Sequence, residues 1–277
     1  MKKYTVILLL LVSTTLLFAQ KKEKIKGSKT VTVEQREVGN FEALLVEDNL
    51  EVHLERGEKT ALKIEADDNL HGIISLDLRD NTLRIYTTKS AVNYKKMIVR
   101  VTYTNELNLI TAKDESTVNA IQELLLNTIT LKAYDASKLF VNVNATDFLL
   151  QADDKSKTEL NLKSENSTVE LSKNATLKAL VTTIDLKVDL YQKSAATLEG
   201  NATNMRIRLD NNASFTGNKF NTKNADIITE SYSNCSLFVE TAVIIDAAGK
   251  SEIQLLGSPT IEIRKFADEA QLAKKLK

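Results

Sequence analysis

The amino-acid sequence predicts an all-β protein, a parallel β-helix (β-solenoid) with coils of about 19 residues. Three observations carry this reading. Apolar and polar residues alternate almost everywhere after residue 30, as in Thr30-Val31-Thr32-Val33, Leu83-Arg84-Ile85-Tyr86 and Met205-Arg206-Ile207-Arg208-Leu209, and such alternation marks strands with one buried face. Asp- and Asn-rich turns punctuate the strands, with 22 Asn against a single Pro, and these side chains favour tight turns. Finally, corners with a small third residue recur: Asp135-Ala136-Ser137, Asp154-Lys155-Ser156, Lys173-Asn174-Ala175, Gln192-Lys193-Ser194, Asn211-Asn212-Ala213, Ser233-Asn234-Cys235 and Gly249-Lys250-Ser251. The small residues lie 19, 19, 19, 19, 22 and 16 apart, and an earlier corner, Asp114-Glu115-Ser116, precedes the first by 21.

The residues around each corner fix the coil. Six positions before it stand Leu131, Leu150, Val169, Val188, Ile207, Thr229 and Ile245; eight before stand Ile129, Phe148, Ser167, Leu186, Met205, Ile227 and Val243. These offsets share one parity, so they point to one face of a strand. Between them lie outward residues such as Lys132, Gln151, Glu170, Lys187 and Arg206. A coil with two main strands cannot bury its apolar face alone. Stacking coils at roughly 4.8 Å per step pairs each strand with its neighbours and encloses a continuous core. A β-sandwich would not require a sustained register. The spacing of 22 followed by 16 reads as a gain around Lys219–Asn221 and an equal loss around Thr241.

The remaining segments are ordered along the chain. Residues 1–20 have a basic start at Lys2-Lys3, an apolar run from Val6 to Val12 and a small residue at Ala19, the form of a secretory signal peptide cut after Ala19 or Gln20. The apolar stretch is short for a membrane span and is broken by Ser13-Thr14-Thr15. The Lys-rich stretch 21–29 reads as a solvated leader. Residues 30–263 form a single solenoid domain, with irregular coils or a strand-built cap over 30–106 and regular coils over 107–263. The tail, 264–277, reads as a short helix, from the periodicity of Asp268 to Lys277. The irregular segment would cover one end of the solenoid and the tail the other, since open ends invite pairing with other chains.

Composition narrows the function. Lys plus Arg and Asp plus Glu both number 37, which excludes a strongly basic nucleic-acid binder. Without Trp, and with Tyr and Phe dispersed, there is no stacking platform for bases. One Cys and two His are too few for a Cys/His zinc site. No later segment is apolar enough to span a bilayer as a helix.

Three stretches carry a resemblance: Val38-Gly39-Asn40-Phe41-Glu42-Ala43-Leu44, then Val52-His53-Leu54-Glu55-Arg56-Gly57, then Ile64-Glu65-Ala66-Asp67-Asp68-Asn69-Leu70. Together they resemble the opening of the auto-transporter adhesin "head GIN domain" family of Gram-negative bacteria. Ile253-Gln254-Leu255-Leu256-Gly257-Ser258-Pro259-Thr260-Ile261 is similar to its closing repeat. The resemblance spans roughly residues 36–263. It implies a right-handed β-helix shaped like the pectin lyases but without their catalytic residues, and a role in adhesion. The family's corners are rich in Ser and Gly, whereas here only Gly249 remains among the corners above. Asn and Asp are the commonest substitutes for Gly at positive φ.

Chemistry is sparse. His53 and His71 lie 18 apart, with no nucleophile motif beside either; His53 alternates with Val52 and Leu54 and is expected to face solvent. Cys235 falls in the small-residue slot as a free thiol. No catalytic residue and no cofactor are expected. Asp114, Asp135 and Asp154 share one corner slot on successive coils, beside Glu115 and Asp153. Stacked carboxylates of that kind suit Ca²⁺. The plainer reading is a solvated turn face relieved by Lys113, Lys138, Lys155 and Lys157. The expected function is a non-catalytic exported module for adhesion to a glycan or protein, in the periplasm, on the outer-membrane surface or outside the cell. A carbohydrate-active enzyme and a purely structural envelope protein are the alternatives. Self-association through the solenoid ends is a further expectation.

Overall fold

The computed structural model describes residues 22–275; the signal-peptide reading of 1–20 lies outside them. In chain order come β1 (Lys24–Lys26), β2 (Val31–Arg36), β3 (Ala43–Val46), β4 (Glu51–Arg56), β5 (Ala61–Asp67), a 3-10 turn (Asp68–Ile73), β6 (Ile74–Arg79), β7 (Thr82–Thr87), β8 (Ser90–Val92) and β9 (Met97–Tyr103). The repeat follows with β10 (Leu109–Ala112), β11 (Thr117–Ala133), β12 (Lys138–Ala152), β13 (Lys157–Leu171), β14 (Thr176–Tyr191), β15 (Ala195–Asp210), β16 (Ser214–Thr229), β17 (Asn234–Ala247), β18 (Glu252–Gly257), β19 (Thr260–Phe266) and β20 (Gln271–Lys274). The chain is a β-solenoid of about 9 turns. No helix among the described residues is long and apolar enough to cross a membrane.

Each regular coil is one long strand that wraps around the axis and ends in one tight corner. In β14 exposed and buried residues alternate from Thr176 to Thr183, two exposed residues follow at Ile184 and Asp185, and alternation resumes at Leu186. The doubled outward position is where the chain bends from one face to the next. Coil then stacks on coil in parallel register: Val169 pairs with Val188, and Val188 with Ile207. Leu131, Leu150, Val169, Val188, Ile207 and Ile245 are all essentially inaccessible. Each is buried by its equivalents above and below, and each such side chain contributes about 1.5–3 kcal/mol.

The corners explain the Asp and Asn usage. Both central residues have positive φ at Asp114/Glu115, Asp135/Ala136, Gln192/Lys193 and Asn211/Asn212, as a type I′ turn requires. The turns close through backbone bonds such as Ser137 N–H to Tyr134 O, 3.0 Å, and Ser194 N–H to Tyr191 O, 3.2 Å. The small residue after each turn points inward and is fully buried. Its demand is for size. Ser116 and Ser194 donate to the carbonyls of Val46 and Leu171, but Ala175 and Ala213 serve equally and the Ser137 and Ser156 hydroxyls have no partner.

One corner is placed differently from the sequence reading. The turn is Ser231-Tyr232-Ser233, with positive φ at Ser231 and Asn234 paired with Ser214. Ser233 therefore fills the slot, and the coils on either side are closer in length than a spacing of 22 and 16 implies. Cys235 lies two positions on, standing in the ladder between Phe215 and Ile253. Aligning the corner on Cys235 preserves the parity, and hence the faces, but slides this coil by two positions.

The two ends differ. At the N-terminal end β3 and β4 stack under β10 and β11, and β7 and β9 stack under β3 and β4. Antiparallel strands then close the end: β6 on β7, β5 on β9 and β2 on β5. The 3-10 turn inserts Leu70 and Ile73 into the core. The Lys-rich leader is not a free solvated arm: β1 pairs with β8, and Ile25 packs against the core. Asp67 holds this together. Its fully buried carboxylate accepts the backbone N–H groups of Lys29 (2.8 Å), Lys95 (3.1 Å) and Lys96 (3.0 Å). Gly27 is needed there because a Cβ would collide with an Asp67 oxygen and lie 2.6 Å from the Tyr94 Cα.

At the C-terminal end the expected helix is absent. Residues 260–266 form β19, paired with β17, and residues 271–274 form β20, paired with β18. Ladder bonds override the local helical periodicity: Gln271 N–H reaches Ser251 O at 2.8 Å and Lys275 N–H reaches Leu255 O at 2.9 Å. The tail is one more coil, and among the described residues nothing covers its end.

This packing sets the cost of substitutions on either side of one strand. Val188→Asp should cost on the order of 3–5 kcal/mol by placing an unpaired charge in a sealed column. Lys187→Asp, on the outer side where Lys187 meets Asp189 at 2.7 Å, should cost about 1 kcal/mol or less; urea unfolding compares them. Asp67 gives a pH signature. Burial opposes its ionisation, but the N–H groups of Lys29, Lys96 and Lys95 outweigh burial and hold its pKa below the ordinary value. Its contribution is therefore complete above the unfolded carboxyl pKa of about 3.9 and lost as pH falls through the folded value. Asp67→Asn should lower the melting temperature at neutral pH, with a gap to wild type that closes in acid.

Candidate binding face

The column three positions before the buried corner slot brings together side chains far apart in sequence. Tyr134, Asp153, Ser172 and Tyr191 occupy it on four successive coils, and the next outward column reads Lys132, Gln151, Glu170 and Asp189. Tyr134 and Tyr191 thus stand three coil steps apart, roughly 14 Å. They frame an open trough of about 430 Å³ lined also by Gln151, Asp153, Glu170, Ser172 and Asp189. Cations brace both rings: Lys113 Nζ lies 5.9 Å from the Tyr134 centroid and Arg208 Cζ 6.0 Å from that of Tyr191. Gln151 donates to Glu170 at 2.9 Å. Burial pulls the Asp153 carboxyl upward, but the Asp154 N–H, Lys173 and the Ser172 hydroxyl outweigh it, so Asp153 stays ionised below the usual range. In the sequence these Tyr residues look dispersed. The signal that unites them is their common offset from the corners at Ser137 and Ser194.

On the opposite arm Ile121, Phe140 and Leu180 surround the stacked amides Asn142 and Asn161 in a second shallow trough of about 550 Å³. Asn161 donates to Asn142 at 2.6 Å. Ile121 is 76% exposed.

The three acidic candidates do share a corner column. Asp114, Asp135 and Asp154 all have positive φ, and Asp48 of the preceding coil extends the column. The ends are compensated: Lys22 pairs with Asp48, and Lys173 reaches both Asp153 and Asp154 at 3.0 Å. In the middle, burial first, then Asp135, Asp48 and Glu47, push the Asp114 carboxyl upward. Among the described residues Lys138, Lys155 and Lys157 form no ion pair with the column, and no group of three or more acidic, His or Cys side chains is arranged to hold a metal ion. His53 is half-buried and bonds Glu51 at 2.7 Å. His71 is buried, with Nε2 2.9 Å from the Thr32 hydroxyl and Nδ1 3.2 Å from Glu34. His71 thus stands between the Thr32 hydroxyl and the Glu34 carboxylate. Burial pushes the Cys235 thiol up to about 12, so it stays protonated.

With this geometry in view, residues 40–259 match the family described as "Putative auto-transporter adhesin, head GIN domain". The chain belongs to this family. Among solved structures, a "putative adhesin" from Parabacteroides merdae is 13% identical with a TM-score of 0.67, covering 91% of this chain and 99% of its own. A "putative adhesin" from Parabacteroides distasonis is 15% identical with a TM-score of 0.58, covering 91% and 100%. A "Putative lipid binding protein" from the same species is 12% identical with a TM-score of 0.58, covering 92% and 98%. At these identities the likeness is one of fold. No curated protein matches the chain. For this head GIN domain the family points to an adhesion-like role, which a surface of outward columns can serve without catalytic machinery.

The acidic corner column yields a prediction. A carboxyl whose folded pKa is raised destabilises the fold above that pKa and has no effect once both states are protonated. Asp114→Asn keeps the turn, because Asn tolerates positive φ. It should raise the melting temperature at neutral pH, and the part of the gain due to charge should disappear as pH falls below about 3.9.

Proposed function

We propose that this head GIN domain is an exported, non-catalytic adhesion module that binds a glycan in the trough between Tyr134 and Tyr191. The observation that carries the reading is the Tyr134–Asp153–Ser172–Tyr191 column, which sets two aromatic rings on a rigid ladder with hydrogen-bonding groups between them. An aromatic face packs against the C–H face of a sugar ring, while carboxylate and amide oxygens accept its hydroxyls. Ligand sites commonly combine apolar surface with a few placed polar groups in this way. The export signal read at residues 1–20 and the adhesin family support a location in the envelope or outside the cell. The coil path is taken as right-handed, the hand of about 98% of parallel strand crossovers.

A polysaccharide-active enzyme would pair a protonated carboxyl with an ionised one. In the trough Asp153 is held ionised, and the carboxyl pushed upward, Asp114, sits on the corner outside it. That arrangement favours binding over catalysis. The acidic corner column is proposed to act as a turn face, so a chelator should leave the melting temperature unchanged.

The test is a glycan array with the chain from residue 22, followed by calorimetry on the best ligand. Tyr134→Ala and Tyr191→Ala should each weaken binding about tenfold, the equivalent of about 1.4 kcal/mol. Tyr232→Ala, an exposed ring outside the trough, should not. Glycan binding indifferent to both trough variants, or a protein ligand only, would overturn the assignment.

A further inference from the structure

The solenoid is closed at one end and open at the other. In the next-to-last coil the inward residues Val243, Ile245 and Ala247 are fully buried. Their partners on β19 are Ile261, Ile263 and Phe266, and these are 43%, 50% and 46% exposed. Among the described residues no further coil stacks on them. β19 therefore offers a free backbone edge with three apolar side chains on its core side. The opposite end of the molecule is sealed by the antiparallel strands and by Leu70 and Ile73, so head-to-tail stacking would find no matching open core.

The sequence of β19 is complementary to itself when reversed. The ladder between β17 and β19 shifts between Ile245 and Asp246, so that Arg264 is the extra residue while Lys265 faces outward and Phe266 inward. A two-fold axis between Ile263 and Arg264 sets Ile261 opposite Phe266 of a second copy on the core side. The same axis sets Glu262 opposite Lys265 of that copy on the outer side. Each pairing occurs twice, apolar against apolar and acid against base, and cross-strand pairs of both kinds are favourable. Glu262 is already held in place by Arg264 at 2.9 Å.

We propose that two copies of this chain associate tail to tail, β19 against β19 in antiparallel register, so that each solenoid caps the other's open core. The contact is isologous and closes on itself, giving a dimer and not a fibre. It leaves the trough at Tyr134 and Tyr191 free on both copies and directs the two sealed ends outward.

Sedimentation equilibrium of the chain from residue 22 tests this, with melting temperature as a folding control. Wild type should be a concentration-dependent dimer. Glu262→Lys and Lys265→Glu should each be monomeric, because each sets like charges opposite one another twice. The double variant Glu262→Lys/Lys265→Glu should dimerise again. An equimolar mixture of the two single variants should form a heterodimer, since it restores both opposite-charge pairs. Ile263→Lys should be monomeric, with a melting temperature like that of the monomeric charge variants. A wild-type monomer over the whole concentration series, or a dimer indifferent to all of these changes, would overturn the proposal.

Discussion

Every position in this molecule is governed by what stands one coil above and one coil below it. Parallel in-register stacking puts equivalent residues roughly 4.8 Å apart. The inward columns profit, because Val169, Val188 and Ile207 exclude water from one another along the axis. The outward columns inherit the cost of the same rule, since like charges are placed over like. The bend column shows the remedy. Asp147, Asn166, Asp185, Asn204 and Asn224 stack in order, and Asn166 donates to Asp147 at 3.0 Å, Asn204 to Asp185 at 2.8 Å and Asn224 to Asn204 at 3.0 Å. An amide placed between carboxylates turns repulsion into hydrogen bonding. The corner column lacks that alternation, and burial first, then the neighbouring carboxylates, raise the Asp114 carboxyl.

The repeat makes the regular coils legible, because parity and spacing are properties of sequence alone. The inward set and the positive-φ corners follow from it. Where the repeat is disguised, the register is harder to find. Ser233-Asn234-Cys235 imitates a corner two positions past the true one, and only the ladder distinguishes Ser233 from Cys235. The tail carries the same information as any coil: Ala270 falls one coil repeat after Ser251, and Asp268 takes the positive φ of Gly249. Its Ala, Leu and Lys content nevertheless suggests a helix, since local propensity is blind to a waiting strand edge. Backbone bonds to β18 decide the matter.

The N-terminal third is less legible for a different reason. Its strands leave the coil path, and β2, β5 and β6 run antiparallel to their partners. No periodic column announces such a cap. Its integrity rests on single groups: the Asp67 carboxylate, and Glu65, which hydrogen bonds to Lys96 and Arg100 bring down to about 2. The lysines of the leader look solvated because their charges are; the backbone between them is nonetheless pinned by Asp67 and by β8. The tyrosine trough is hidden for a related reason, as Tyr134 and Tyr191 are far apart in the chain and fall in one row only through three coils of sustained register.

Caps and faces are coupled by the same ladder. An inward residue at either end has lost one of its two neighbours, so its burial depends on whatever replaces the missing coil. At the N-terminal end an irregular set of strands supplies that cover and ends the periodicity for good. At the C-terminal end the periodicity continues through Ile261, Ile263 and Leu272 to the last described strand. A stack that ends while still periodic presents its own internal pattern as a surface, and the best complement to that pattern is another strand of the same kind. The faces that display the tyrosines and the amide ladders need no such partner, because their backbone is already paired on both sides. The molecule thereby separates two features: fully bonded faces hold side chains in fixed rows, and the open, still periodic core is confined to the C-terminal end.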